Sequence, residues 1–169
     1  NNGSLLSYTT DQGSLNALAE NRHLIQADGG QVYMSAKAAD ALSTAVVNNT
    51  GIIKAHSIQN VGGVIKLMGD MQVGTVNVGG TLDASAPNGG NGGFIETSAA
   101  HVKIADGTNV TTTATQGQAG NWLIDPFDFT LAASGGDITG ALLSSSLGGG
   151  NVQILSSAGT VGGTLGDIN

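Results

Sequence analysis

Residues 80–99 read GTLDASAPNGGNGGFIETSA: two short runs with strand character, TLDA and FIET, on either side of a tract made of little but Gly, Asn and Pro. A tract of this kind either links two domains or turns a corner within one, and the residues around it decide which. The run TLDA has counterparts in LIQA, IIKA, NVTT and DITG. Their apolar anchors, Ile25, Ile53, Leu82, Val110 and Ile138, follow one another at spacings of 28, 29, 28 and 28 residues. The period runs through the glycine tract without a slip. A flexible linker has no reason to keep it, so the tract reads as a corner.

Two further sets of anchors keep the same period. In GGQVYM, GGVIKL, GGFIET and AGNWLI a small pair precedes residues two apart: Val32 and Met34, Ile65 and Leu67, Ile95 and Thr97, Trp122 and Ile124. Later in each period come Val76 and Val78, Val102 and Ile104, and Phe129 and Leu131. This makes about three short strands per repeat. Alternation along a strand turns Ile25 and Ala27, Ile53 and Ala55, and Leu82 and Ala84 to one side, and Gln26, Lys54 and Asp83 to the other. A repeat with one apolar side buries it by winding into a coil and stacking the next coil about 4.8 Å along the axis. The expected fold is therefore all-β: a right-handed parallel β-helix of about five or six coils, each with three short strands. A sandwich of hairpins would not hold such a period. The chain reads as a single β-helix domain over residues 1–169 and as a segment of a longer protein.

Corners must turn within a few residues, where glycine supplies positive φ and asparagine tolerates the left-handed region. The corner from Ala27 to Val32 is short and that from Ala84 to Ile95 is long, so the extra residues form a surface loop. Pro87, Asn88, Gly89, Gly90, Asn91 and Gly92 are the candidate contact loop. Two segments break the strand pattern. SAKAADALSTAVVNNTG, with Ser35 as N-cap and Ala38, Leu42, Ala45 and Val46 on one face, and TGALLSSSLGGGN, with a glycine stop at 148–150, are expected as short external helices.

Composition excludes several classes of function. Arg22 and four lysines stand against 12 carboxylates, for a formal net charge of −7, which disfavours nucleic acid and anionic membrane as partners. The chain has no cysteine, hence no disulfide framework or thiolate metal site. No apolar run reaches the roughly 20 residues of a spanning helix, so membrane insertion is not expected. Parallel β-helices include polysaccharide lyases and hydrolases, whose sites need carboxylates or basic residues converging on one face. The carboxylates considered are Asp83, Glu96, Asp106, Asp125 and Asp128. Only Asp125 and Asp128 are close, three apart around a proline, and they read as turn caps. His23, His56 and His101 do not recur at one position of the coil and read as solvent-facing turn residues, while Trp122, aligned with Val32, Ile65 and Ile95, reads as core. The expectation is no catalytic, cofactor-binding or metal-binding residue.

The blocks ALAENRHLIQADGGQVYMSAKAADAL, VVNNTGIIKAH, GTLDASAPNGGNGGFIETSAAHVKIADG and GNWLIDPFDFTLAASGGDITGALL, taken in order, closely resemble the filamentous-haemagglutinin family of bacterial exoproteins. The resemblance runs from about residue 12 to the end. It implies a large secreted surface protein, exported through an outer-membrane two-partner transporter, that forms a right-handed β-helical fibre. Adhesion to host or neighbouring-cell surfaces and their glycans, aggregation and biofilm formation are the roles it implies. The family's amino-terminal secretion signals, of the NPNL and NPNGI type, do not occur in this sequence. The resemblance therefore places the chain from the end of the secretion domain into the shaft. A self-assembling subunit that stacks end to end on copies of itself, and a β-helical polysaccharide enzyme, are the alternative readings.

Overall fold

A computed structural model describes residues 5–10, 16–39, 44–156 and 166–169. After β1 (Leu5–Thr10), the chain winds through four three-strand turns. The first holds β2 (Ala17–Asn21), β3 (Leu24–Gln26) and β4 (Gln31–Ala36); the second β5 (Ala45–Asn49), β6 (Ile52–Lys54) and β7 (Val64–Met68). The third holds β8 (Gly74–Val78), β9 (Thr81–Asp83) and β10 (Phe94–Ser98); the fourth β11 (His101–Ile104), β12 (Asn109–Thr111) and β13 (Asn121–Asp125). A last, altered level has β14 (Leu131–Ala132), β15 (Ile138–Thr139), helix α1 (Gly140–Gly148) and β16 (Asn151–Ile154). Equivalent strands pair in parallel into three sheets, ordered β1-β4-β7-β10-β13-β16, β2-β5-β8-β11 and β3-β6-β9-β12. This is a parallel β-solenoid of about five turns.

The sequence period becomes a set of columns. Ile25, Ile53, Leu82 and Val110 stand above one another, and so do Val32, Ile65, Ile95, Trp122 and Val152. Strand alternation sends each column into the interior: Ile53, Ile65, Leu82 and Ile95 are fully buried, whereas Lys54 and Lys66 are half-exposed. Burying one such side chain contributes about 1.5–3 kcal/mol. Trp122 is core, as its alignment requires, and its Nε1–H donates to Thr97 Oγ1 at 3.2 Å, which satisfies the one polar atom of the indole. Two buried asparagines also stack. Asn21 Nδ2 donates to Asn49 Oδ1 at 2.8 Å, and Asn49 Nδ2 to Gly79 O at 2.7 Å, so each amide is satisfied by the coil above.

Three expectations need correction. Ser35 and Ala36 end β4, and Ala45–Asn49 form β5, so the described part of the 35–51 stretch is not helical; Leu42 lies outside the described residues. Ala45, Val47 and Asn49 are buried while Val46 and Asn48 are half-exposed, and hydrogen bonding to β2 and β8 outweighs the helix propensity of alanine. Ile138 does not stack on Val110. Ile104 N–H donates to Asp137 O at 2.7 Å, which sets Ile138 in line with Val78 and Ile104, and β15 pairs with β14 instead. Leu131, expected inside with Phe129, is exposed; Phe129 is fully buried and bridges to Ile168.

The helix expected at TGALLSSSLGGGN is present. Thr139 caps it, its Oγ1 accepting from Leu142 N–H at 3.3 Å. It packs on β12, β15 and β16 with Leu142 buried, and thus lies over the end of the β3-β6-β9-β12 stack. Thr112 N–H reaches Gly149 O at 2.7 Å, closing the step from β12 to the segment that follows α1. No helix among the described residues is long and apolar enough to cross a membrane.

Candidate functional site

The glycine tract is the middle member of three stacked corners, at residues 55–63, 84–93 and 112–120, each leading into the β1-β4-β7-β10-β13-β16 sheet. Its loop is held from both sides. Ala86 N–H donates to Thr113 O and Ser57 N–H to Ser85 O, both at 2.8 Å. Gly92 N–H donates to Gln118 O, and Gln118 N–H returns to Asn91 Oδ1, both at 2.9 Å. Gly89 and Gly90 take φ of 102° and 88°, in the region where only glycine is unstrained. Pro87 and Asn88 form the exposed tip, and Thr115 Oγ1 donates to Pro87 O at 3.0 Å.

Below this loop the corner after β6 makes its own tight turn. Ile58 and Val61 exchange N–H···O bonds of 3.0 Å in both directions, with Gln59 at φ 53°. Between the two corners lies a concavity of about 370 Å³ lined by Gln59, Asn60, Gly62, Gly90, Asn91 and Gly92. Half of the candidate loop, Gly90, Asn91 and Gly92, thus belongs to it, while Pro87, Asn88 and Gly89 do not line it. Its side chains are three uncharged amides, each with donors and acceptors. Because Asn91 Oδ1 is committed to Gln118 N–H, the side chain has a fixed orientation. A shallower furrow sharing Gly62 and Gly92 continues along the axis past Phe94 to Asn121 and Asn151.

A second cluster went unseen in the sequence. His56, expected to face solvent, is half-buried between two carboxylates: Nδ1 is 3.1 Å from Asp28 Oδ1 and Nε2 is 2.9 Å from Asp83 Oδ2. His56 N–H also donates to Asp28 Oδ1, at 3.1 Å, and Ser85 N–H donates to Asp83 Oδ1 at 3.0 Å. Burial raises the Asp83 carboxyl, but hydrogen bonds from Ser85 and His56 outweigh it and hold the group below the ordinary carboxylate range. The signal for this cluster was the period itself. In a solenoid a residue's neighbours lie one period away, and Asp28 and Asp83 lie 28 and 27 residues from His56. His23 and His101 are exposed, as expected.

The remaining carboxylates are spread over separate contacts. Glu96 pairs with Lys66 at 2.7 Å and Asp106 accepts from Thr139 Oγ1 at 3.1 Å. Asp128 Oδ1 accepts from Asp167 N–H at 3.0 Å, a backbone-capping role of the kind expected for it. Asp125 ends β13, and its buried Oδ1 has no hydrogen-bond partner. Glu20 is held below the ordinary range by its bond to Arg22 and then by Asn48, so it too is committed to its own neighbours. Among the described residues no group of His, Cys, Asp and Glu side chains has the arrangement to hold a metal ion. No protein-family model matches this chain, and neither a curated protein nor a solved structure matches it.

Proposed function

We propose that this chain is a non-enzymatic structural and adhesive shaft segment of a secreted bacterial surface adhesin of the filamentous-haemagglutinin type. The observation that carries the reading is the division of labour in the solenoid. The inward columns are apolar and continuous, whereas the stacked corners between Ala55 and Gly120 present an uncharged, amide-lined concavity to the outside. Stability in such a rod is a sum of neighbouring coil contacts, so length is gained coil by coil while the corners are left free for contact. On this reading the protein acts outside the cell in adhesion, aggregation and biofilm formation. The full-length protein passes through an outer-membrane two-partner transporter, and the corner concavity contacts neutral glycans of host or neighbouring cells.

The test is binding of the purified protein to a panel of immobilised neutral and acidic glycans and to whole cells, beside the variant Asn60→Ala/Asn91→Ala. Retention of neutral glycans or cells by the wild type, lost in the variant while its β-type circular dichroism persists, is the expected result. Equal binding by both, or none by either, removes the concavity as the contact site. Turnover of a polysaccharide by the wild type would favour the enzymatic reading instead. One observation favours a second reading, the self-assembling subunit. Among the described residues β16 lies at the edge of its sheet, and its inward residues Val152 and Ile154 are half-exposed. Such an edge is a template for another coil, of this chain or of a second copy. Concentration-dependent rods in light scattering and electron micrographs support the second copy, and a monomer at all concentrations excludes it.

A further inference from the structure

We propose that Asn88, at the tip of the middle corner, is a self-modification site: attack by the Gly89 backbone nitrogen expels its side-chain amide, and the corner acquires a carboxylate. The inference stands apart from the adhesive reading, since its co-reactant is solvent water. Asn-Gly is the pair in which this ring closure meets least hindrance, because glycine has no Cβ to crowd the approach of its nitrogen to the preceding side chain. The pair occurs three times in the sequence, at Asn2-Gly3, Asn88-Gly89 and Asn91-Gly92, the first outside the described residues. The other two share one loop, and the structure separates them.

Asn91 is held. Its Oδ1 accepts from Gln118 N–H at 2.9 Å, and the nitrogen that would attack it, Gly92 N–H, donates to Gln118 O at 2.9 Å. Side chain and nucleophile are thus both pinned to the next coil, and both bonds must open before the two can meet. Asn88 has neither restraint. It is exposed, and no described residue hydrogen-bonds its side chain. Gly89 N–H reaches Ala86 O at 3.4 Å, a long contact to a carbonyl that already receives Thr115 N–H at 3.3 Å and Thr115 Oγ1 at 3.2 Å. The loop is tied at Ala86 and Pro87 on one side and at Asn91 and Gly92 on the other, which leaves Asn88 and Gly89 between the ties.

The step balances without an oxidant or reductant. Gly89 N gives its proton to solvent and bonds to Asn88 Cγ; the Cγ–Nδ2 bond breaks, and the amide leaves as ammonia after taking a proton from water. The product is a five-membered succinimide. Water then adds to one ring carbonyl and breaks its bond to the ring nitrogen. Opening at Cγ gives aspartate, and opening at the backbone carbonyl gives isoaspartate, whose main chain is longer by one carbon. Either product sets a negative charge beside a concavity lined by the amides of Gln59, Asn60 and Asn91. The added carbon falls between the ties, where a surface corner absorbs it and the stacked strands keep their places.

Peptide mapping by mass spectrometry of the protein aged in neutral buffer, native beside urea-unfolded, tests this. Unfolded, Asn88 and Asn91 should convert at similar rates. In the native protein Asn88 should convert about tenfold faster than Asn91 or more, since Asn91 must first lose two hydrogen bonds. Asn60, equally exposed but followed by the branched Val61, should convert more slowly than Asn88 in both states. Asn88→Gln, whose ring would be six-membered, should remove the conversion from that loop while Asn91 stays slow, and the converted wild type should keep its β-type circular dichroism. Equal native rates at Asn88 and Asn91, an Asn88 that converts unfolded but not native, or no conversion in either state overturns the assignment.

Discussion

Alanine at Gly63 and at its neighbour Gly62 should have opposite effects, because the corner packs backbone on backbone at one residue and opens to solvent at the next. Gly30, Gly63, Gly93, Gly120 and Gly150 each precede a strand of one sheet, and the first four accept from the strand of the next coil, as in Val64 N–H to Gly30 O at 3.2 Å and Phe94 N–H to Gly63 O at 2.9 Å. A Cβ on Gly63 would stand 2.5 Å from the carbonyl carbon of Ala55 and closer still to its oxygen, with the His56 carbonyl carbon at 3.1 Å. Ordinary C···O contacts begin near 3.3 Å, so a backbone segment must move by about an ångström or more. That segment carries Ala55 N–H to Asp83 O and Ser57 N–H to Ser85 O, both at 2.8 Å, and Ser57 Oγ itself accepts from Gly63 N–H at 3.1 Å. Overpacking costs about 1–3 kcal/mol and each weakened hydrogen bond about 1 kcal/mol, so Gly63→Ala should lose about 3–5 kcal/mol. A Cβ on Gly62 meets nothing within 4 Å and its backbone is not left-handed, so Gly62→Ala should gain about 0.4–1 kcal/mol through the unfolded chain. The two variants should then melt about 7–24 °C apart when followed by far-ultraviolet circular dichroism, at about 2–4 °C per kcal/mol for a domain of this size. Melting points that agree within about 2 °C would show that the corner gives way, and would refute the close-packed stack of corners.

Ile53→Asp places an unpaired charge in the fully buried column and should abolish the cooperative melt, whereas Lys54→Ser, one residue on and facing outward, should change stability by no more than about 0.5 kcal/mol; equal effects would contradict the inward register. Trp122→Phe keeps most of the buried ring but removes the N–H that Thr97 Oγ1 accepts, while the Thr97 hydroxyl keeps its bond to Leu123 O at 3.4 Å, and should cost about 1–2 kcal/mol in urea unfolding. The Asp83 carboxyl is held below its ordinary value, so its contribution is present above about pH 4 and disappears as pH falls through the folded-state value. The urea midpoints of wild type and Asp83→Asn should therefore differ near pH 5.5 and converge toward pH 3. A gap that stays constant would mean that Asp83 acts through shape and not charge.

The three sets of anchors and the alternation within each run determined the solenoid, because inward or outward is settled by a period of two along the strand and the stacking partner by a fixed distance in the chain. Ile25, Ile53, Leu82 and Val110 form one column for that reason, and Trp122 lies in the core for the same one. Where the chain stops repeating, local signals lose their hold. Ile138 kept the 28-residue spacing yet moved to the column of Ile104, since the irregular path after β13 and helix α1 take up the place of a strand stacked on β12. Ala45 and Val46 suited a helix as isolated residues, but the donors and acceptors of β2 and β8 on either side made β5 the lower-energy choice. The glycine tract identified a loop in the sequence, and only stacking decided which half of it faces a concavity. Gln59 and Asn60 come from the coil below and have no sequence pattern that ties them to Asn91. The cluster at His56 was decided in the same way: the period marks Asp28 and Asp83 as neighbours in the adjoining coils, and the geometry of the corners decided that the three side chains meet.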